Sequence, residues 1–183
     1  MIGTTTLLAV STLGKFEIRR EAELLTGGNW NRRKVCDLFK VLLSADQHRL
    51  HREQIQEMLW PTATIEQAAN SFGKTLYLLR RALEPELVAG KGSSSVYVLL
   101  EHDTLMLVPQ SIEIDADQFE AAAKPLQAAM RSRTTKEQDK ASTVQLLEQF
   151  DAVLALYKGD YLPEDIYEDW SQRRRDRLDK PAA

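Results

Sequence analysis

The sequence predicts an α+β protein in two parts, a mixed strand-and-helix region over residues 1–112 and an all-helical segment over 113–183. Three observations carry this. Short runs with a period of two open the chain. Three stretches with apolar residues at helical spacing follow and lead into a pair of β-like runs. Beyond Asp115 every apolar pattern has the helical period.

Leu7, Ala9 and the run to Leu13 are apolar and β-tolerant, and Gly14 breaks them. Phe16 and Ile18 then alternate with Lys15, Glu17 and Arg19, the pattern of a half-buried strand. Arg20-Glu21-Ala22-Glu23 reads as a turn before Leu24 and Leu25, and Gly27-Gly28 ends the strand region. Asn31 is an expected N-cap for a first helix whose inward stripe is Val35, Leu38, Phe39, Leu42 and Leu43. A shorter second helix runs from about His51 to Leu59, with Ile55, Met58 and Leu59 inward, and stops at Trp60-Pro61 because proline cannot continue the hydrogen-bond ladder.

The third helix has the strongest signals. Thr64-Ile65-Glu66-Gln67 matches a capping box. Ile65, Ala69, Phe72, Leu76, Leu79 and Leu83 form the expected inward stripe, and Pro85 ends the helix. Val96–Glu101 and Thr104–Val108 read as a hairpin around His102-Asp103, an unusual pair for a two-residue turn. Helices are then expected over about 117–130, with Pro125 kinking or splitting the first, around Leu146 to Tyr157 with Gly159 as C-cap, and through Ile166, Tyr167, Trp170 and Leu178.

Two helices joined by a short turn, followed by a hairpin, form a winged helix-turn-helix arrangement. Opposite its apolar stripe the third helix carries Gln67, Asn70, Lys74, Tyr77 and Arg81, flanked by Ser71 and Arg80. Gln and Asn match adenine edges in the major groove; Arg and Lys match guanine edges or phosphates. Arg32, Arg33 and Lys34 open the first helix, where positive charge opposes the macrodipole and a phosphate would relieve it. A solvated charge cluster explains them equally well. Arg52 begins the second helix in a similar position, and His102 marks the wing tip.

At this point the chain resembles the OmpR-type winged helix joined to a bacterial transcriptional activator domain, as in the SARP family of regulators. The resemblance rests on Ser11-Thr12-Leu13-Gly14-Lys15-Phe16, on Trp30 with Arg32-Arg33-Lys34, and on Arg52-Glu53-Gln54 through Leu59-Trp60-Pro61. It continues through Ala68-Ala69-Asn70, Leu79-Arg80-Arg81-Ala82-Leu83-Glu84-Pro85, Asp117 with Phe119-Glu120, Leu156 through Asp165, and Tyr167-Glu168-Asp169-Trp170. It implies a DNA-binding domain over 1–112 and part of an all-helical, TPR-like activator domain over 113–183. It further implies binding to promoter repeats in double-stranded DNA, recruitment of RNA polymerase, and a homodimer on the DNA. Under it, Gln67, Asn70, Ser71, Lys74, Tyr77, Arg80 and Arg81 are the DNA-contact positions. His51 departs from the family's usual Ser or Thr cap, which implies a looser start to the second helix.

The net charge of −3 is not that of a strong nucleic-acid binder, but it is unevenly placed. Residues 1–112 carry 13 basic and 12 acidic side chains, against 11 and 15 in 113–183. The lone Cys36 cannot form an internal disulfide and reads as a packed thiol in a reducing, cytoplasmic setting. No charged start leads into an apolar run, and no apolar stretch reaches about 18 residues, so neither a signal peptide nor a membrane span is expected.

Asp46, His48 and His51 match no familiar metal spacing and read as loop residues. The acids from Asp160 to Asp169 lack a calcium-loop pattern. They read as dipole-complementing residues, and Arg173, Arg174, Arg175 and Arg177 as a solvated face pairing with acids four residues back. Neither Gly90-Lys91-Gly92-Ser93 nor Gly73-Lys74-Thr75 has phosphate-loop spacing. With no nucleophile-base set and no paired carboxylates, the sequence points to no enzyme and no cofactor.

Overall fold

The computed structural model describes residues 6–88, 90–91, 94–132 and 148–179. Two small sheets flank a helical centre. In the first, β1 (Leu8–Ser11), β2 (Glu17–Arg20) and β3 (Glu23–Leu24) form an antiparallel meander. The Glu21-Ala22 turn between β2 and β3 has both residues at positive φ, the geometry that matches strand twist in a tight hairpin. A late strand, β7 (Ile112–Ile114), returns to pair parallel with β1, Leu8 opposite Ile112 and Val10 opposite Ile114. The second sheet has the order β4 (Arg49–His51), β6 (Thr104–Leu107), β5 (Val98–Glu101). Strands β4 and β7 have three residues each, too few for periodicity to reveal.

Helix α1 (Arg33–Ser44) is the centre of the molecule. It packs against α2 (Arg52–Leu59), α3 (Ile65–Leu83), β6 and α6 (Asp169–Asp179). Surrounded in this way, it buries Val41 as well as the expected stripe, and also Asp37, Lys40 and Ser44. Its start differs from expectation. Gly28–Asn31 forms a 3-10 turn, so Asn31 does not cap; Arg32 occupies the N-cap without a side-chain bond. Trp30 in that turn packs edge-on against Phe39, ring centroids 5.8 Å apart. Cys36 is half-buried, donates to the Trp30 carbonyl at 2.9 Å, and has its thiol pKa pushed up by burial.

Helix α2 starts firmly. The His51 ring accepts from the Glu53 N–H at 3.4 Å, and the Gln54 side chain accepts from the His51 N–H at 3.0 Å. An imidazole nitrogen therefore does the work of the missing Ser or Thr oxygen, and the expected looseness is absent. Gln56 faces inward beside Ile55 and Leu59, whereas Met58 is 43% exposed.

Helix α4 (Asp115–Ser132) runs unbroken through Pro125. Its first residue ties it to the sheet: the Asp115 carboxylate accepts from the Thr12 N–H and hydroxyl, both at 2.7 Å, and from the Leu13 N–H at 3.1 Å. The same end of β1 meets the chain again at Tyr161, bridged to Leu13. Gly14 and Gly159 touch there. A Cβ on Gly14 would lie 2.4 Å from the Lys158 carbonyl oxygen, and one on Gly159 would lie 3.0 Å from the Gly14 Cα. Gly159 thus permits a close backbone approach and caps no helix, since helix α5 is assigned over 148–154 and ends before Leu156 and Tyr157. Leu146 and Leu147 lie outside the described residues.

Two of the α6 arginines, Arg174 and Arg175, overturn the solvated-face expectation, while Arg173 and Arg177 stay exposed. Arg174 is 1% exposed and donates to the Leu43 carbonyl, Asp117 and Glu120, with its guanidinium 5.3 Å from the Tyr161 ring. Arg175 is buried and donates to the carbonyls of Tyr161, Ile166 and Asp165. Arg173 and Arg177 reach Asp46, and Arg177 also reaches Glu120. The acids before α6 reach across to α1, with Lys40–Asp165 at 2.6 Å and Arg33–Glu168 at 3.0 Å. Ile166 and Tyr167, expected inward, are 43% and 91% exposed.

Candidate nucleic-acid interface

Helix α3 begins as its sequence requires. The Gln67 N–H donates to Thr64 Oγ1 at 3.3 Å, and the Thr64 N–H donates to Gln67 Oε1 at 3.1 Å. The helix has 19 residues, about 28 Å at 1.5 Å per residue. It buries Ala68, Phe72, Thr75, Leu76, Leu79 and Leu83. The buried stripe therefore departs from the expected one in the first turns: Ile65 is 88% exposed, and Ala69 is exposed.

Gln67, Asn70, Lys74 and Tyr77 lie at i, i+3, i+7 and i+10 and are all exposed, Tyr77 at 49%. They form one line along the outer face. Among the described residues no side chain pairs with Asn70, Lys74 or Tyr77. Gln67 uses its oxygen at the cap and keeps its amide N–H groups free. Ser71 flanks the line, half-buried. Gly73 leaves an open notch beside Lys74, with nothing within 4 Å of where a Cβ would be. Ile65 and Ala69 stay on the inward side of the helix by spacing, Ile65 beside Trp60 and beside Glu53 and Gln56 of α2, and are exposed at the helix start rather than part of this line.

Arg80 lies off that line, and Arg81, which continues it at i+14, has its side chain turned back onto its own chain. Arg80 Nε donates to the Val98 carbonyl at 3.1 Å and docks β5 onto α3, and burial lowers its pKa. Arg81 donates to the Pro85 and Leu87 carbonyls at 2.6 and 2.9 Å, closing the chain behind the helix. Both are fixed by backbone oxygens of their own chain.

The residues expected at phosphates differ among themselves. Arg32 is exposed, and its side chain has no partner among the described residues. Arg33 is bound to Glu168, and Lys34 lies 3.7 Å from Asp37. Burial raises the Asp37 carboxyl pKa despite Lys34 and Arg33. Arg52 holds the wing: its N–H donates to the Asp103 carbonyl at 2.7 Å, and its guanidinium lies 3.2 Å from the Asp103 carboxylate. His102 is exposed at the tip of a two-residue turn in which both His102 and Asp103 have positive φ. The hairpin is thus anchored at both ends, on α3 through Arg80 and on α2 through Arg52.

Among the described residues no cluster of His, Cys, Asp or Glu could hold a metal ion. His48 instead meets Asp117 at 2.8 Å. Among the same residues no helix is long and apolar enough to cross a membrane.

No protein-family model matches the chain, and no curated protein matches it in sequence. Solved structures do match its fold. One is EmbR of Mycobacterium tuberculosis in complex with a low-affinity phosphopeptide, with a TM-score of 0.67 at 15% identity. The likeness covers 96% of this chain but 42% of that one, so the chain spans less than half the length of this neighbour. At that identity the likeness is one of fold: a mixed α+β arrangement of two small sheets around central helices, shared from β1 to α6.

Proposed function

We propose that the protein is a DNA-binding transcriptional regulator of the OmpR-type winged-helix class, reading promoter repeats through α3. The observation that carries this reading is the line of Gln67, Asn70, Lys74 and Tyr77, polar and exposed along one face of a groove-sized helix, with Asn70, Lys74 and Tyr77 unpaired among the described residues and the Gln67 amide N–H groups free. Asn70 supplies the donor-acceptor pair that suits adenine, the Gln67 amide adds donors, and Lys74 suits guanine or phosphate. Arg32 and His102 remain free for backbone phosphates. The TPR-like helical segment from α4 to α6 is the part that meets protein, RNA polymerase included, and a homodimer on direct repeats gives paired binding. The fold likeness to EmbR supports this reading as an analogy of architecture.

The test is selection of bound sites from random duplex DNA, followed by affinity across a salt series. An enriched motif is expected, with affinity falling steeply as salt rises. Asn70→Ala should cost about 1–3 kcal/mol and relax preference at one base position. Lys74→Ala should weaken binding and, if it meets phosphate, reduce the salt slope by about 1. Arg81 is unsuitable for this test because its loss would disturb the chain end of α3.

A second reading is a protein-interaction module whose winged helix does not bind DNA. The observation favouring it is that Arg33, Arg52, Arg80 and Arg81 are all held by groups of their own chain. No enriched motif, with affinity indifferent to Lys74, would select it.

A further inference from the structure

A cavity of about 420 Å³ opens where the turn at 45–48 meets α4 and α6, on none of whose walls α3 appears. Small-molecule pockets run from roughly 300 to 1,000 Å³. The apolar part of its lining is Phe119, Ala123 and Leu178, all buried, with Ala45 at the edge.

Its polar walls are of two kinds. The three carboxylates are each already held by two cationic or donor side chains: Asp117 by His48 and Arg174, Glu120 by Arg174 and Arg177, Asp46 by Arg173 and Arg177. A cationic ligand would have to displace an arginine from one of them. Lys124, Gln127 and Gln47 also line the cavity, and among the described residues none of them has a partner. Lys124 is exposed and brings the only lining cation not engaged by a carboxylate. The free chemistry of the cavity is therefore a positive charge and amide donors beside an apolar floor.

We propose that this cavity binds a small organic anion, an aromatic or alkyl body bearing a carboxylate or a phosphate. The body lies on Phe119, Ala123 and Leu178, and the anionic group meets Lys124 with the Gln127 and Gln47 amides. The walls come from both parts of the molecule: the 45–48 turn leaves the end of α1, against which α3 packs, while α4 and α6 belong to the helical segment. A ligand that binds only the assembled junction stabilises it by mass action. The site does not depend on the DNA-binding reading, and its test does not use DNA.

The test is calorimetric titration of the 183-residue protein with benzoate, phenyl phosphate, benzyl alcohol and benzamidine, alongside amide chemical-shift mapping. At least one of the two anions should saturate with Kd below about 1 mM, and benzamidine should not. Benzoate without phenyl phosphate identifies a carboxylate site, and the reverse a phosphate site. Lys124→Glu should weaken the anion at least about tenfold, and Lys124→Arg should restore it. The side chain is exposed and unpaired, so the circular dichroism of both variants should match the parent. Shifts should fall on 45–48 and 117–127, a readout that needs no variant. Failure of both anions to saturate overturns the proposal. So does benzamidine binding as tightly as the anions, an affinity indifferent to Lys124→Glu, or shifts that map elsewhere.

Discussion

Helices α3 and α6 both carry a dense polar stripe, and they use it in opposite ways. Along α3, Asn70, Lys74 and Tyr77 face solvent with no partner among the described residues. Along α6, Arg173, Arg174, Arg175 and Arg177 are all engaged, and Arg174 and Arg175 are buried. In sequence the two stripes look alike. The difference is what lies opposite. α6 packs against α1 and reaches the acids of α4 and of the 46–48 turn, so the guanidinium groups of Arg174 and Arg175 lose water and exchange it for carboxylate and carbonyl oxygens. On the outer face of α3 no side chain among the described residues pairs with Asn70, Lys74 or Tyr77. A polar side chain remains available to an outside partner only where tertiary neighbours have not already taken it.

The largest effect that sharpens this contrast is expected from Arg174→Ala. Removing the guanidinium leaves the buried Leu43 carbonyl without its donor and takes one of two partners from Asp117 and from Glu120, which should cost about 3 kcal/mol in urea unfolding. A loss near zero would mean that the α6 network is as dispensable as a surface charge.

Acid should act next. Burial alone would raise the Asp117 carboxyl, but the His48 hydrogen bond and the Arg174 charge outweigh it and hold it below the usual carboxylate range. Asp46 is lowered by its hydrogen bond from Arg177. A carboxylate with a depressed folded pKa contributes stability that is complete above its unfolded value, near 3.9, and is lost as pH falls through the folded one. Stability should therefore hold to about pH 5 and fall below roughly pH 4. Asp37, raised by burial, works the other way, since its protonation favours the fold. Asp117→Asn should flatten the acid limb; an unchanged limb would move the effect to other carboxylates.

The smallest effect is expected on α3. Asn70→Ala and Lys74→Ala should change unfolding free energy by no more than about 0.5 kcal/mol, because neither side chain holds anything in the fold. A larger loss would show that the face is structural and would end the contrast with α6.

Much of the architecture is legible in the residues themselves. Thr64 and Gln67 announce the start of α3, Trp60-Pro61 the end of α2, and His102-Asp103 the wing turn. Local signals of this kind act within a few residues and survive in any context. The candidate site was read in part. Gln67, Asn70, Lys74 and Tyr77 stand where helical periodicity places them, while Arg80 and Arg81 lie on the same helix but are captured by Val98, Pro85 and Leu87.

What the sequence determined alone is therefore the order of elements, their caps and stops, and the polar line on α3, all of which depend on spacing along a single segment. Tertiary structure decided which strands complete the sheets, with β7 placed on β1 and β4 on β6 across long separations. It also decided that Gly14 and Gly159 meet backbone to backbone, and that Arg174 is buried at the junction while Ile65 is left bare. A side chain's burial depends on what arrives opposite it from elsewhere in the chain, and no local pattern encodes that arrival.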